Sequence, residues 1–320
     1  MRLQGAARGN GQRLLRLPRL RRQGLPPQPY DQRMRVEILG SGGAATIPRP
    51  GCRCRVCVEA RAVGGRTART GPCTFVHGPN IIFDTPEESK FQLERAGIGE
   101  IAACFYSHWH PDHTMGRRVW ETRNGDFRTW PREAKKPLVT DVYLPQQVAA
   151  DFRTWLGGMA HLEFMQGRGW IRIHELCDGE TVEVGGVTVR PFRLAEDYVY
   201  AFELIDGETR LLVAMDELNG WSPPAEIRGC DLAVLPMGIC EFDLFTGERL
   251  IHEDHPVLVY EATFAETLGI VGELGAKDVV LSHVEEMDCI SYDDLVRVEK
   301  QLRAEGCNVR FAWDGMTIDV

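Results

Sequence analysis

No run of 18 consecutive apolar residues occurs in the 320-residue chain, so no membrane-spanning helix is expected. Residues 1–33 lack the continuous apolar centre of a secretory signal. They also lack lysine, and eight arginines against one acid, Asp31, give them a formal charge of +7. Leucines scattered among arginine, glycine and proline predict a disordered tail there, with Met34 as the true start. An Arg-rich organelle-targeting segment is the competing reading. The remainder has the opposite sign, with 45 acidic side chains against 29 basic ones. Such an acidic body, without a basic and aromatic tract, disfavours a nucleic-acid partner. No internal repeat or interdomain linker interrupts residues 34–320, so one domain is expected after the tail.

Other absences narrow the chemistry. The ten cysteines form no secreted disulfide framework, because the chain is long and three of them cluster as Cys52-x-Cys54-x-x-Cys57. Reduced thiols, a cytoplasmic location and one local metal site follow as expectations. Gly40-Ser41-Gly42-Gly43 has no Gly-Lys-Ser/Thr ending, so it is no phosphate-cradling P-loop.

What is present is a series of apolar strands that each deliver a polar residue at the C-terminal end. Residues 101–106 are apolar and β-rich and lead into Ser107-His108-Trp109-His110-Pro111-Asp112-His113, which holds three of the nine histidines. His108 and His110 converge on one ion from a turning loop, and Asp112 and His113 reach a second. Imidazoles mixed with carboxylate suit zinc, manganese or iron better than magnesium. The strand at 210–215 ends at Asp216, and the strand at 278–281 ends near His283. A buried unpaired carboxylate is costly, and metal ligation explains Asp216. Further strands are predicted at 34–40, 73–77, 80–84, 181–192, 198–205, 231–236 and 309–312. Helices are predicted at 264–274, 292–304 and after Thr85, which is the expected cap with Pro86 in the first turn. Residues 114–180, with Trp120, Trp130, Trp155 and Trp170, read as an insertion of helices and loops roofing the metal site. Cys52, Cys54 and Cys57 alternate with Arg53 and Arg55, which excludes a buried strand and offers three thiolates to a structural zinc.

The His-x-His-x-Asp-His run resembles the signature of the metallo-β-lactamase superfamily, and the resemblance covers residues 34–320. It implies an α/β fold of four layers, αββα, and a two-metal hydrolytic centre. His108 and His110 would hold the first ion, Asp112, His113 and His283 the second, and Asp216 would bridge them. Two Lewis acids there lower the pKa of a bridging water and neutralise charge on the attacked group. Relatives place a histidine after Pro-x-x-Leu-x, where this chain has Glu196 after Pro191-Phe192-Arg193-Leu194-Ala195. Glu196 is therefore the expected terminal ligand of the first ion, with turn capping as its alternative.

The glycine loop followed by the cysteine run is similar to the phosphodiesterases of bacterial phosphonate breakdown, which open a ribose 1,2-cyclic phosphate. It is also similar to a pyrroloquinoline quinone biosynthesis protein that lacks much of the histidine signature. The first likeness implies an additional zinc on Cys52, Cys54 and Cys57, with Glu286 at the fourth position and Cys289 as competitor. A second histidine of those relatives falls near Glu261, with His252 and His255 as substitutes. The expected catalytic side chains are Asp112, His113 and His255. The expected activity is metal-dependent hydrolysis of a small cyclic phosphate or phosphodiester. Thioester, lactone or amide hydrolysis on the same centre, and a non-catalytic binding protein retaining the fold, are the alternatives. The expected partner is a small-molecule substrate, with a homodimer as the assembly to test.

Overall fold

The computed structural model describes residues 34–125 and 137–320, so the expected tail and Trp130 lie outside the described residues. The chain divides into Met1–Asp31 and Gln32–Val320, and the fold is that of the second unit. Strands β1 (Arg35–Gly40), β2 (Cys73–His77), β3 (Ile81–Phe83), β4 (Ala103–Phe105), β5 (Thr140–Pro145) and β6 (Ile171–Leu176) build one sheet. Strands β7 (Val182–Val184), β8 (Val187–Arg193), β9 (Tyr200–Asp206), β10 (Thr209–Ala214), β11 (Leu232–Pro236), β12 (Asp278–Ser282) and β13 (Val309–Phe311) build the other. A last strand, β14 (Met316–Asp319), returns to the first sheet beside β1. Neighbours run parallel from β3 to β6 and from β10 to β13, and antiparallel elsewhere.

The two-residue side-chain period of a strand sorts the layers. In β10, Leu211 and Val213 join one apolar cluster, which takes in strands of both sheets, while Leu212 and Ala214 join a second. Helix Phe264–Leu274 adds Ile270, Val271 and Leu274 to that second cluster, and helix Tyr292–Ala304 adds Leu295 and Val298. Val148, Phe152 and Leu162, from helices Gln146–Thr154 and Gly158–Gly167, cover the first sheet. The result is helix, sheet, sheet, helix. Phe83, Phe105 and Phe202 meet between the sheets with ring centroids 5.1–5.7 Å apart. Burying each such side chain contributes about 2–3 kcal/mol.

Most predicted elements are found within a residue or two of the expected bounds, but the strand expected at 181–192 is a hairpin of β7 and β8, turned at Gly185-Gly186, both at positive φ, and three further differences have physical causes. The stretch at 114–180 is no simple insertion, because β5 and β6 extend the first sheet and pair in parallel with β4 and each other. Their apolar positions are short and separated by charged edge residues, which hides the period. Thr85 caps no helix: its hydroxyl is buried against Tyr106 Oη at 2.7 Å, and the helix begins at Ser89. The strand β14 was missed beyond β13, since four alternating residues carry little pattern.

Candidate metal centre

Parallel pairing brings the strand ends together. The register Phe83↔Phe105 sets Asp84 level with the loop that follows β4. On the other sheet, β10, β11 and β12 run in parallel, so Asp216 and His283 emerge at the same edge. Two groups of donors result. His108, His110 and Asp216 offer one set, and Asp112, His113 and His283 another, with the atoms of each set within 4.8 Å of one another.

Asp216 lies between the sets. Its Oδ2 is 3.4 Å from His108 Nε2 and 3.5 Å from His113 Nε2, and its Oδ1 is 3.4 Å from His283 Nε2. Asp112 Oδ2 is 3.3 Å from His113 Nε2 and 3.8 Å from His283 Nε2. These three Nε2 atoms are buried and have no hydrogen-bond partner among the described residues. Buried polar atoms are ordinarily paired, so three convergent exceptions fit cation ligation.

Asp84 fixes which nitrogen is available, and sequence reasoning assigned it no role. Its carboxylate accepts from Ser107 N at 2.8 Å, Ser107 Oγ at 2.6 Å and His113 Nδ1 at 2.7 Å. Because the Ser107 hydroxyl donates to Asp84, it must accept from His108 Nδ1, 2.9 Å away. In their neutral form both imidazoles therefore carry the proton on Nδ1, which leaves the inward Nε2 lone pair for a cation. Asp84, Glu217 and His283 all have positive φ, at 61°, 35° and 54°, a conformation that non-glycine residues hold only where the surroundings enforce it.

The electrostatics follow from two carboxylates among imidazoles. Burial would raise the Asp216 pKa, but His283, His108 and His113 hold it well below the usual range. Burial would lower His283, yet Asp216 and Asp112 push it up to about 9. His113 is likewise raised against its burial by Asp112 and Asp84. His110 instead falls to about 4 through burial and the neighbouring His108.

Other predicted residues are placed differently. Glu196 is not among the side chains gathered into either set. Its carbonyl accepts from Val199 N in a tight turn, and Tyr198 presents its ring to His108 and His110 at 6.0 and 5.5 Å. His255 lies on the exposed stretch before Val257, where its Nδ1 accepts from Val257 N, and it lines a neighbouring cavity. Glu261 does line the metal pocket, along with Glu217 and Glu285. Burial and the facing Glu217 carboxyl raise Glu261 to about 9. Glu285 is held by Ala44 N and Ala45 N, at 2.8 and 3.0 Å. A Cβ on Gly43 would sit 2.0 Å from Glu285 Oε1 and 2.7 Å from His283 Nδ1, which explains this glycine by close packing against those two side chains. Of the tryptophans, Trp120 is buried with Nε1 on Tyr106 Oη, and Trp155 stacks on Trp109 at 5.3 Å.

The third donor group is Cys52, Cys54, Cys57 and Glu286, again within 4.8 Å. Glu286 Oε1 is 3.0 Å from both Cys54 Sγ and Cys57 Sγ, while its Oε2 accepts from Arg49 Nε at 2.7 Å. Tetrahedral sulfur and oxygen ligands of zinc lie roughly 3.5–3.8 Å apart, so small shifts fit this group to an ion. Cys289 stays outside it and packs against Ile47, Val56 and Ala60. Burial and Glu286 raise the Cys54 thiol to about 12, and the thiols in turn draw Glu286 down to about 2 despite its burial.

No helix among the described residues is long and apolar enough to cross a membrane. The fold is similar to that of a diphosphatase of the PhnP family, with TM-score 0.64, 21% identity, and 90% of this chain and 98% of that chain covered. It is also similar to zinc-bound PqqB from Methylobacterium extorquens, with TM-score 0.63, 16% identity, and 89% and 100% covered. In sequence, an octanoyltransferase of Porphyromonas gingivalis is 26% identical over 253 residues, 78% of this chain. The chain spans only 46% of the length of that relative. Residues 79–284, more than half of the chain, match the beta-lactamase superfamily domain, and with the αββα layers and the His-x-His-x-Asp-His centre the chain belongs to the metallo-β-lactamase superfamily.

Proposed function

We propose that the protein is a metal-dependent hydrolase that cleaves a small cyclic phosphate or phosphodiester. The observation that carries this reading is the convergence of three unpartnered Nε2 atoms on the carboxylates of Asp112 and Asp216. Divalent zinc, manganese or iron bound there supplies Lewis acidity and activates water. His108, His110 and Asp216 would hold one cation and Asp112, His113 and His283 the other, with Asp216 near enough to both sets to serve each.

The diphosphatase of similar fold acts on a phosphate compound, which supports a phosphate-bearing substrate. Asp84 and Ser107 orient His108 and His113, so the ligands need no rearrangement to bind. Glu217 and the half-buried Glu261 share the pocket wall, burial raises both carboxyls, and the pair would hold the proton for a leaving alkoxide. Cys52, Cys54, Cys57 and Glu286 hold a separate structural zinc that ties the loop before helix Arg55–Val63 to the turn after β12. A second reading, thioester hydrolysis on the same centre, is favoured by the relative named an octanoyltransferase.

Protein reconstituted with zinc or manganese and offered phosphodiester, thioester and lactone panels tests the reading. Metal-dependent turnover highest on phosphodiesters is expected. Turnover confined to thioesters would replace the phosphodiester reading with the second one.

A further inference from the structure

His283 and Glu286 stand three residues apart and serve different donor groups, one in the metal centre and the other among the cysteines. The segment between them is bonded to a single loop, residues 41–45. Val284 N donates to Ser41 O at 3.0 Å, Gly43 N to Val284 O at 3.2 Å and Glu286 N to Ala45 O at 3.1 Å. Glu285 accepts from Ala44 N and Ala45 N, and its Oε1 lies 3.6 Å from His283 Nδ1. Further along, the same loop enters the cysteine group. Arg49 N donates to Cys57 Sγ at 3.2 Å, and Arg49 Nε to Glu286 Oε2 at 2.7 Å. Two short stretches of chain therefore join the cysteines to His283.

His283 is the ligand most dependent on this connection. Asp84 orients His113 directly and His108 through Ser107, from elements that the cysteines do not touch. The distance from His283 Nδ1 to Glu285 is longer than a hydrogen bond, so no such partner fixes its ring. Its backbone φ of 54° is left-handed, which a non-glycine residue keeps only while its surroundings hold it. Cys289, also at 54°, ends the same segment. Without zinc, Glu286 is held there by the thiols of Cys54 and Cys57 at 3.0 Å, and thiols are weak donors. Zinc replaces those bonds with coordination, whose free energy goes into the local fold.

We propose that the cysteine site is an effector site: zinc there fixes residues 283–286 and strengthens cation binding by Asp112, His113 and His283, while the set of His108 and His110 changes little. Linkage makes the effect reciprocal, so a cation on His283 tightens the cysteine zinc by the same factor. The coupling rests on the metal centre of the hydrolase reading for its two sites, not on the reaction catalysed there.

The first test needs no variant. Full-length protein stripped of metal receives one equivalent of zinc, located at the cysteines by protection of their thiols from a disulfide reagent. Competition with a chromogenic chelator then gives the zinc affinity with and without saturating manganese, which favours the histidine and carboxylate sets over thiolates. Manganese should tighten the zinc at least about fivefold, the lower end of ordinary coupling between sites. Next, manganese is titrated calorimetrically into the zinc-loaded protein and into Glu286→Ala. One of the two manganese affinities should fall at least about fivefold and the other stay within twofold. Glu286→His, which keeps a zinc ligand, should restore the lost affinity, and Glu286→Ala added to His283→Ala should weaken the remaining cation no further. If Glu286→Ala does not fold, the wild-type competition decides alone. Zinc affinity indifferent to manganese, or equal loss at both manganese sites, would overturn the coupling. Fewer than two manganese ions, or no zinc on the thiols, would overturn the metal sites and the coupling with them. Coupling of this size in a protein that turns over no phosphodiester upholds the effector site and overturns the hydrolase reading; turnover without coupling does the reverse.

Discussion

Asp84 Oδ2 lies 2.7 Å from His113 Nδ1, and both side chains are fully buried. The same carboxylate, through the Ser107 hydroxyl, sets His108. One residue therefore governs an imidazole in each donor set.

Asp84→Ala should lower affinity for both cations by about 10–100-fold, the usual cost of losing such an orienting partner. Isothermal titration with zinc measures it. Affinity within twofold of wild type would show that the two imidazoles orient themselves.

Gly43→Ala places a methyl group against Glu285 and His283. The clash should destabilise the fold by about 1–3 kcal/mol and weaken the cation set that includes His283. Thermal melting and metal titration read the two effects separately. Unaltered melting and affinity would mean that the loop has room the packing does not suggest.

Cation binding should release protons. Without cations, His283 is protonated below its raised pKa of about 9, and a metal ligand must be neutral. Affinity should therefore rise with pH through the neutral range towards about 9. Calorimetry in two buffers of different ionisation enthalpy counts the protons. Affinity independent of pH between 6 and 9 would contradict the charge balance described for the centre.

Cys54→Ser should lose about one zinc equivalent and lower the melting temperature, since thiolate–zinc binding is folding free energy. Elemental analysis and melting of the soluble variant suffice. Unchanged zinc in a stable variant would remove the cysteine site from the account.

Much of this donor arrangement was legible because a strand that ends in an imidazole or carboxylate leaves a local trace. His108, His110, Asp112, His113, Asp216 and His283 each follow an apolar run, and the three cysteines announce themselves by spacing. Asp84 was seen only as a strand end, because its partners lie 23 and 29 residues away and meet it through the β3–β4 register. Glu196 was expected to be a ligand from its place in a motif, but the turn closed by Val199 N leaves it outside the donor sets. His255 and Glu261 are six residues apart, yet only Glu261 lines the metal pocket, since the short helix Val257–Tyr260 separates them. No local pattern specifies which side of a single helical turn faces a cavity.

Asp216 lies within 3.5 Å of histidines of both donor sets, so its removal tests the central claim most directly. Metal content and bis(p-nitrophenyl) phosphate turnover should be measured together for Asp216→Ala and wild type. The account predicts wild type with two cations beyond the cysteine zinc, and a variant that loses at least one of them and falls by several orders of magnitude in turnover. A variant that keeps its full metal content and wild-type turnover would contradict it.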